Sequence, residues 1–201
     1  MSTSAEGEVL VEHVSPRGPI ATAVRGTLIA GALQGLREHG VFEPLLVELP
    51  PHTREVLLQA SAMSWVPSEA LLALCLAVDR LMLTDRQIAN IGGSAAGSIG
   101  TTVLSALLRT AGATPWTLLS GLDRLWDRFY HGGGVTVLRL GPKDAHIELS
   151  GLPHAVSRYA RASTHAFFQA LAGKLTKSSY VVAARARTPA PTTFAFSLRW
   201  V

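Results

Sequence analysis

The hydrophobic pattern of this chain changes its period at "HGGG", residues 131–134. Before these glycines, apolar residues recur every three or four positions, as they do in amphipathic helices. After them, apolar and polar residues alternate in short runs, which is typical of half-buried strands. We therefore predict an α+β fold, in which an N-terminal helical half packs on a small antiparallel sheet.

Several signals set the expected helix boundaries. A four-residue repeat predicts a first helix that ends at Gly40 and carries Ile20, Val24, Leu28, Ala32 and Leu36. Further helices are expected after His52, near Pro67, and from Asp85, because Thr84 and Gln87 form a capping-box pattern. The last helix of this half is predicted to follow Gly112 and to start at Thr114 and Pro115, with the sequence "PWTLLSGLDRLWDRFY".

The sheet is predicted to consist of two hairpins separated by a long helix. The first joins "VTVLRL" to "AHIELS" through "GPKD", and the second joins "SYVVAARAR" to "TTFAFSLRWV" through "TPAP". The helix between them is expected to run from Pro153 to Gly173. The last strand places its large residues on one face, against that helix: Phe194, Phe196, Leu198 and Trp200.

Composition indicates one folded domain. The chain has 201 residues, of which 48% are hydrophobic and 16% charged, so we expect a flexible arm over 1–17 and one domain over 18–201. The mean hydropathy of +0.28 indicates an internal cavity or an apolar interface. A net charge of +4 does not indicate nucleic-acid binding.

The chain shows no leader and no membrane span, so we expect a cytoplasmic protein. The first residues lack a basic segment followed by an apolar one, and the apolar run from Ala70 to Val78 is too short to cross a bilayer. The single cysteine, Cys75, excludes an internal disulfide and a cysteine-rich zinc site. It is expected in the core.

The run "GGSAAGSIGTT", residues 92–102, resembles a phosphate loop or a nucleophile elbow but fits neither. No lysine follows its last glycine, and Ser94 lies after a capped helix rather than a strand. We favour one helix face of small residues, formed by Gly93, Gly97 and Gly100, that a second helix or a ligand can approach closely.

The long helix carries one basic stripe, His154, Arg158, Arg161 and His165. This stripe can bind an acidic partner, although a solvated helix face is the favoured interpretation. No histidine has a partner at zinc-protease spacing, so no metal site is predicted. No local catalytic arrangement is found, which favours a protein that is not an enzyme.

Aromatic residues are numerous enough to line a ligand pocket. The candidate pocket residues are Cys75, Gly93, Gly97, Trp116, Trp126, Phe167, Phe194 and Phe196. Sequence alone leaves open a second interpretation, in which the same aromatic residues fill a solid core.

Five segments together resemble a known family. They are "GTLIAGALQGLREHGVFEPLL", "IANIGGSAAGSIGTTVLSALLRTAG", "FYHGGGVTVLRLGPKDAHIELSGLP", "YARASTHAFFQALAGK" and "FAFSLRWV". The pattern resembles an uncharacterised paralogous family of myxobacteria, a domain of unknown function. That family is similar to vinyl-reductase-type sensor domains, TRAPP subunits and haem-NO-binding domains.

The resemblance implies a ligand-sensing or assembly module. Vinyl-reductase-type sensors bind small aromatic molecules, often with a zinc held by cysteines, and TRAPP subunits pair and can hold an acyl chain. Haem-NO domains use a proximal histidine and a Y-x-S-x-R signature, where this chain has "YARAS" at 159–163. We therefore expect no cofactor.

These observations predict a non-enzymatic regulatory or sensory module in signalling. It would bind a small apolar or acyl ligand, or a partner protein, as a homodimer. The first alternative is a ligand-free interaction scaffold docking through the helices or the basic stripe, which charge reversal at Arg158 and Arg161 would test. The second alternative is a hydrolase that uses Ser94.

Overall fold

The computed structural model describes residues 19–108, 113–183 and 190–201, with the side chains of 98–108 and 183 left undescribed. The expected arm over 1–17, Gly112 and half of the "TPAP" turn lie outside the described residues. The α-helices of the described part are α1 (Gly26–Glu38), α2 (Phe42–Glu48), α3 (Pro51–Gln59), α4 (Ser68–Arg80), α5 (Asp85–Leu108), α6 (Pro115–Leu119), α7 (Leu122–Phe129) and α8 (Arg158–Gly173). Its strands are β1 (Ala23–Arg25), β2 (Trp65–Pro67), β3 (Tyr130–His131), β4 (Gly134–Gly141), β5 (Asp144–Ser150), β6 (Ser179–Ala183) and β7 (Phe194–Trp200).

The main sheet confirms the predicted α+β class and both hairpins. Its strand order is β4-β5-β7-β6 with every neighbouring pair antiparallel. The two hairpins join where β5 pairs with β7, for example at Ile147 opposite Phe196. Helix α8 lies across one face of this sheet, where the rings of Phe168 and Phe196 are 5.2 Å apart.

The alternation predicted for the last strand is confirmed. Phe194, Phe196, Leu198 and Trp200 are all buried, whereas the residues between them are half-buried or exposed. Because successive side chains of a strand point to opposite faces, this alternation places all four residues on the core side of the sheet.

The first helix was predicted to begin too early. Residues Ala23–Arg25 form β1, the centre of a small sheet of order β2-β1-β3, and α1 begins only at Gly26. Val24 pairs with Val66 on one side and Tyr130 on the other. These long-range backbone pairings override the four-residue repeat. The predicted end is correct, since Gly40 has a φ of +69°.

Two predicted helices are each divided into two elements. "PWTLLSGLDRLWDRFY" breaks at Ser120 and Gly121 into α6 and α7. The helix expected from Pro153 begins as a 3-10 turn, Pro153–Val156, and α8 follows it. Ser157 caps α8, its Oγ accepting a hydrogen bond from the Ala160 amide at 3.1 Å.

The start of α8 is also tied to α4. The Asp79 carboxylate accepts hydrogen bonds from the backbone amides of Arg158, at 3.1 Å, and Tyr159, at 2.7 Å. A carboxylate at a helix N-terminus satisfies free amides and complements the helix dipole. The capping box predicted at Thr84 and Gln87 is confirmed, with amide-to-side-chain distances of 2.9 and 3.3 Å.

The glycine run that marks the change of period makes a tight corner. Gly133 has a φ of +68°, and a Cβ there would lie 2.8 Å from the Ser150 carbonyl oxygen and 3.0 Å from the Trp126 ring. Only glycine combines this backbone conformation with such close contacts. The corner thereby brings α7 against the main sheet.

In the described residues, no helix combines the length and the apolar composition needed to cross a membrane.

Candidate functional site

A cavity of about 210 Å³ lies between the helices and the main sheet. Its walls come from α1, α4, α5, α6, α7 and α8, from β3, β5 and β7, and from the 3-10 turn. The described lining residues are Leu28, Ala32, Leu71, Cys75, Gly92, Ala95, Leu118, Leu122, Leu125, Trp126, Phe129, Tyr130, Leu149, Leu152, His154, Tyr159, Ala160, Ser163, Thr164, Phe167, Phe168, Leu171 and Phe194. Most of this surface is aliphatic or aromatic.

Helix α7 forms one wall of the cavity with its apolar side. Its sequence "LDRLWDRF" separates charged residues from a stripe of Leu122, Leu125, Trp126 and Phe129. All four stripe residues line the cavity, and none of the eight residues of α7 is fully buried. The stripe therefore borders unfilled space, while Leu122 and Trp126 also pack against the buried core.

The aromatic residue at the centre of this wall is held in place. The Trp126 indole donates a hydrogen bond from Nε1 to the Gly132 carbonyl oxygen at 3.0 Å. Its ring stacks on Tyr130, with centroids 4.5 Å apart and planes 24° apart. Its polar edge is satisfied, so the indole presents an apolar surface to the cavity.

The imidazole of His154 is a buried polar group in this wall. Only 5% of the residue is exposed, and its ring lies 6.1 Å from Tyr130 and 5.7 Å from Phe194 between centroids. Its Nδ1 has no hydrogen-bond partner among the described residues. Burial lowers the pKa of His154 to about 4, so the ring is neutral near pH 7 and has one donor and one acceptor nitrogen.

The other ionisable side chains among the described lining residues, Tyr130, Tyr159 and Cys75, are uncharged as well. Burial, reinforced by the nearby Cys75, raises the pKa of Tyr130 and of Tyr159. Burial together with the Asp79 carboxylate raises the pKa of the Cys75 thiol. No Arg, Lys, Asp or Glu is among the described lining residues. A charged ligand would meet no opposite charge among these described lining residues.

Helices α5 and α8 cross closely at Gly92, next to the cavity. A Cβ on Gly92 would lie 2.5 Å from the Ser163 carbonyl oxygen of α8. The predicted face of Gly93 and Gly97 is open instead, since a Cβ at either position would meet no described atom within 4 Å. The third residue of the predicted face, Gly100, belongs to the part of α5 whose side chains are not described.

The structure brings four of the eight candidate pocket residues into the cavity wall. These are Cys75, Trp126, Phe167 and Phe194. Gly93, Gly97, Trp116 and Phe196 are not among the described lining residues: the Trp116 ring packs on Trp200 at 5.1 Å, and Phe196 is buried in the sheet. Sequence reasoning missed Tyr130, Tyr159 and the leucines of α7, although the amphipathic pattern of "LDRLWDRF" was visible.

The expected basic stripe is divided between separate environments. His154 belongs to the 3-10 turn and is buried, and the His165 ring packs on Phe196 at 4.9 Å. Arg158 donates to the Leu83 carbonyl oxygen and forms an ion pair with Asp85. Arg161 donates to the Ala155 carbonyl oxygen at 2.7 Å.

Ser94 has a histidine neighbour outside the cavity. The Ser94 Oγ and the His39 Nε2 are 3.3 Å apart, and Ser94 lies within α5 rather than on a strand-to-helix elbow. Among the described residues, no carboxylate orients His39, and no group of three or more metal-binding side chains is found. The pair lacks the third member of a catalytic triad.

Comparison with known proteins gives the fold. No family model matches the chain, and no curated protein is similar to it in sequence. It is similar to the Fe(II) unliganded H-NOX protein from K. algicida, with 11% identity, a TM-score of 0.60, and coverage of 88% of this chain and 96% of that one. This chain has the H-NOX fold.

Two further solved structures are similar to it. One is from a study of haem distortion in the H-NOX family, with 8% identity, a TM-score of 0.60, and 88% and 94% of the two chains covered. The other is an oxygen-binding H-NOX domain related to soluble guanylate cyclases, with 9% identity, a TM-score of 0.58, and the same coverage. The resemblances to vinyl-reductase-type sensors, TRAPP subunits and the myxobacterial family stay predictions.

The residues of this cavity do not fit a haem. A cavity of about 150 Å³ holds one benzene ring, and the 210 Å³ here is far too small for a porphyrin of four pyrrole rings. Haem also carries two propionates, and no described lining residue is cationic. The guanidiniums of Arg158 and Arg161 are bound elsewhere. His154 alone does not make a haem site.

Proposed function

We propose that this domain is a non-enzymatic sensory module that binds a small apolar molecule in the cavity between α7 and α8. The observation that carries the proposal is the position of α7. A strongly amphipathic helix normally buries its apolar stripe, whereas the stripe of α7 borders an empty space lined by aromatic side chains. A bound apolar molecule would complete that packing.

Ligand binding would have a direct route from the cavity to the outer surface. Tyr130, a lining residue, follows α7 immediately and belongs to β3. Val24 of β1 pairs with Tyr130 on one side and with Val66 of β2 on the other. A shift of α7 on binding would therefore move the small sheet, and this is the regulatory output that we propose.

The fold similarity supports a binding role over a catalytic one. The matched structures are described as Fe(II) unliganded and oxygen-binding H-NOX domains, so this fold holds ligands in other proteins. Function does not follow from fold alone, and the cavity is the feature of this chain that supports ligand binding. We also propose that the module is a homodimer, which a native mass spectrum of the purified protein would test.

The interaction scaffold is less well supported. Arg158 and Arg161, which would carry it, already hydrogen-bond to this chain. Reversing the charge at Arg158 also removes its ion pair with Asp85, so loss of a partner would have to be separated from loss of folding.

The proposed function is tested with ethylbenzene, an apolar one-ring probe. Its saturable binding should raise the melting temperature by mass action and change the tryptophan fluorescence, since Trp126 lines the cavity. The control is Trp126→Phe, which should keep the thermal shift and lose most of the fluorescence change. Absence of any saturable thermal shift would contradict the proposal.

A further inference from the structure

The three lysines of this chain all lie at one end of the main sheet. They are Lys143, in the turn between β4 and β5, Lys174, at the end of α8, and Lys177, just before β6. Two exposed arginines, Arg139 of β4 and Arg199 of β7, lie at the same end. We call these five residues the lysine end, and we propose that it docks the domain on a membrane surface that contains anionic lipid.

Backbone hydrogen bonds bring two of the lysines to the end of β7. The Lys143 carbonyl oxygen accepts a hydrogen bond from the Trp200 amide at 3.2 Å. Ser178, which follows Lys177, accepts one from the Val201 amide at 3.0 Å through its carbonyl oxygen. The two lysines therefore lie on either side of the same strand end.

The other members are held at this end by side-chain contacts. The Ser179 Oγ donates to the Gln169 carbonyl oxygen at 2.7 Å, which joins the last turn of α8, and hence Lys174, to the start of β6. The Arg139 guanidinium lies 5.0 Å from the centre of the Trp116 ring, and that ring packs on the end of β7. The five cations thus occupy one continuous region.

Acidic residues are scarce in the elements that surround the lysine end. The sequence has no Asp or Glu between Asp85 and Asp123, and none after Glu148. These stretches contain most of α5 and all of α6, α8, β6 and β7. In the described part of the chain, the acid of this region is Asp144, and it is paired with Arg199 at 2.7 Å. The lysine end therefore has a net positive charge that attracts an external anion.

The undescribed segments do not neutralise this charge locally. The side chains of 98–112 and 183–189 include no acid. The undescribed acids belong to 1–18, and this segment joins the domain at the opposite end of the main sheet, where the Gly133 amide donates to the Pro19 carbonyl oxygen at 2.6 Å. Among the described residues, the three lysines form no ion pair.

The choice of lysine favours a lipid surface over a protein or a nucleic acid. Arginine is the usual residue for a carboxylate or phosphate held in a fixed geometry, and lysine is depleted in protein interfaces. All other basic positions of this chain are arginines. An ammonium group on a long flexible stem suits a fluid array of anionic headgroups, where each cation near the surface strengthens binding about fivefold.

Exposed apolar side chains accompany the charges. Leu140 is 59% exposed and follows Arg139, and Tyr180 is 45% exposed and lies opposite Arg199. Such side chains enter the boundary between headgroups and acyl chains, where a tyrosine can keep its hydroxyl in water. None of the five cations is among the described lining residues of the cavity, so this inference does not depend on the proposed ligand.

The test is cosedimentation of the full-length protein with vesicles made of equal parts of phosphatidylcholine and phosphatidylglycerol. The wild type should bind these vesicles and not pure phosphatidylcholine, and binding should weaken at least about tenfold between about 0.05 M and about 0.5 M salt. A triple variant that replaces the lysines by glutamine should bind about a hundredfold more weakly. It carries the substitutions Lys143→Gln, Lys174→Gln and Lys177→Gln.

The matched control loses three exposed cations elsewhere, through Arg86→Gln, Arg124→Gln and Arg128→Gln. It has the same net charge as the lysine variant and should bind within about threefold of the wild type. Both variants should unfold at the urea concentration of the wild type, because the six side chains are exposed. Leu140→Ser should weaken binding about three- to tenfold without changing its salt dependence.

Three results would overturn the proposal. Equal binding of the lysine variant and the arginine control would show that net charge acts without a defined surface. Equal binding of the wild type to vesicles with and without phosphatidylglycerol would exclude recognition of anionic lipid. Lysine-dependent binding of soluble polyglutamate, with no binding to either kind of vesicle, would identify an acidic protein segment as the partner instead.

Discussion

The imidazole of His154 lies nearly parallel to the phenol ring of Tyr130, with centroids 6.1 Å apart and planes 13° apart. Both side chains border the cavity. The contact joins the 3-10 turn before α8 to the strand that follows α7. Burying a histidine between aromatic rings costs little only while it stays unprotonated, which makes its effect on stability depend on pH.

The first prediction concerns acid stability. The folded pKa of His154 is about 4, below the ordinary value of about 6.5, so the unfolded chain takes up a proton first as the pH falls. The neutral His154 ring therefore contributes its full stability above about pH 6.5, and this contribution is lost progressively as the pH falls to about 4. Between about pH 7.5 and pH 5, the wild type should lose about 2 kcal/mol more than His154→Phe in urea denaturation.

The measured quantity is the difference between two unfolding free energies at each pH. The pKa of His165 is also lowered, by burial and by Arg161. Because His165 is present in both proteins, its contribution to the pH dependence cancels in the difference. Parallel pH profiles for the wild type and His154→Phe would show that His154 has the same pKa in the folded and the unfolded protein, contrary to its burial.

The second prediction concerns the contact of α5 with α8. Gly92→Ala places a Cβ 2.5 Å from the Ser163 carbonyl oxygen, so the helices must separate, and we expect a loss of about 1–3 kcal/mol of unfolding free energy. Gly93→Ala is the matched control, because its Cβ meets no described atom within 4 Å. It should be neutral or stabilise the protein by up to about 1 kcal/mol, since alanine favours a helix over glycine.

Thermal and urea denaturation of the two variants compare these effects directly. Equal stability of Gly92→Ala and Gly93→Ala would contradict the close crossing at Gly92.

The third prediction separates an unfilled cavity from a solid core. Ala32 of α1 lines the cavity and is half-buried, whereas Ala145 of β5 is fully buried outside the described cavity wall. Ala32→Leu should stay within about 0.5 kcal/mol of the wild type, because its larger side chain enters open space, and it should weaken ethylbenzene binding. Ala145→Leu should lose about 1–3 kcal/mol, as overpacked core positions do. An equally large loss at Ala32 would show that the space is already filled.

Local signals in the sequence were enough to predict the strands and hairpins of the main sheet. The alternation of Phe194, Phe196 and Leu198 places their side chains on one face, and the hairpins pair strands that are close in sequence. The capping box at Thr84 is likewise a contact within four residues. Features of this kind depend on neighbouring residues only, so they can be read without knowledge of the fold.

The cavity could not be derived in the same way. Its walls join residues far apart in sequence, such as Leu28 and Phe194, and periodicity shows which face of a helix is buried but not whether the space is filled. The position of His154 was missed because Pro153 suggested a helix start, whereas Ser157 is the actual cap. The strands Ala23–Arg25 and Tyr130–His131 are too short to leave an alternating pattern.

A ligand site between α7 and α8 is tested most directly by a methyl ¹H–¹³C NMR titration of the wild-type protein with ethylbenzene. We expect saturable shifts confined to cavity methyl groups, including those of Leu71, Leu122 and Leu149. The methyl groups of Leu45 and Leu57, buried but outside the described cavity wall, should not move. Shifts that fail to saturate, or that are equally large at Leu45 and Leu57, would contradict a ligand site between α7 and α8.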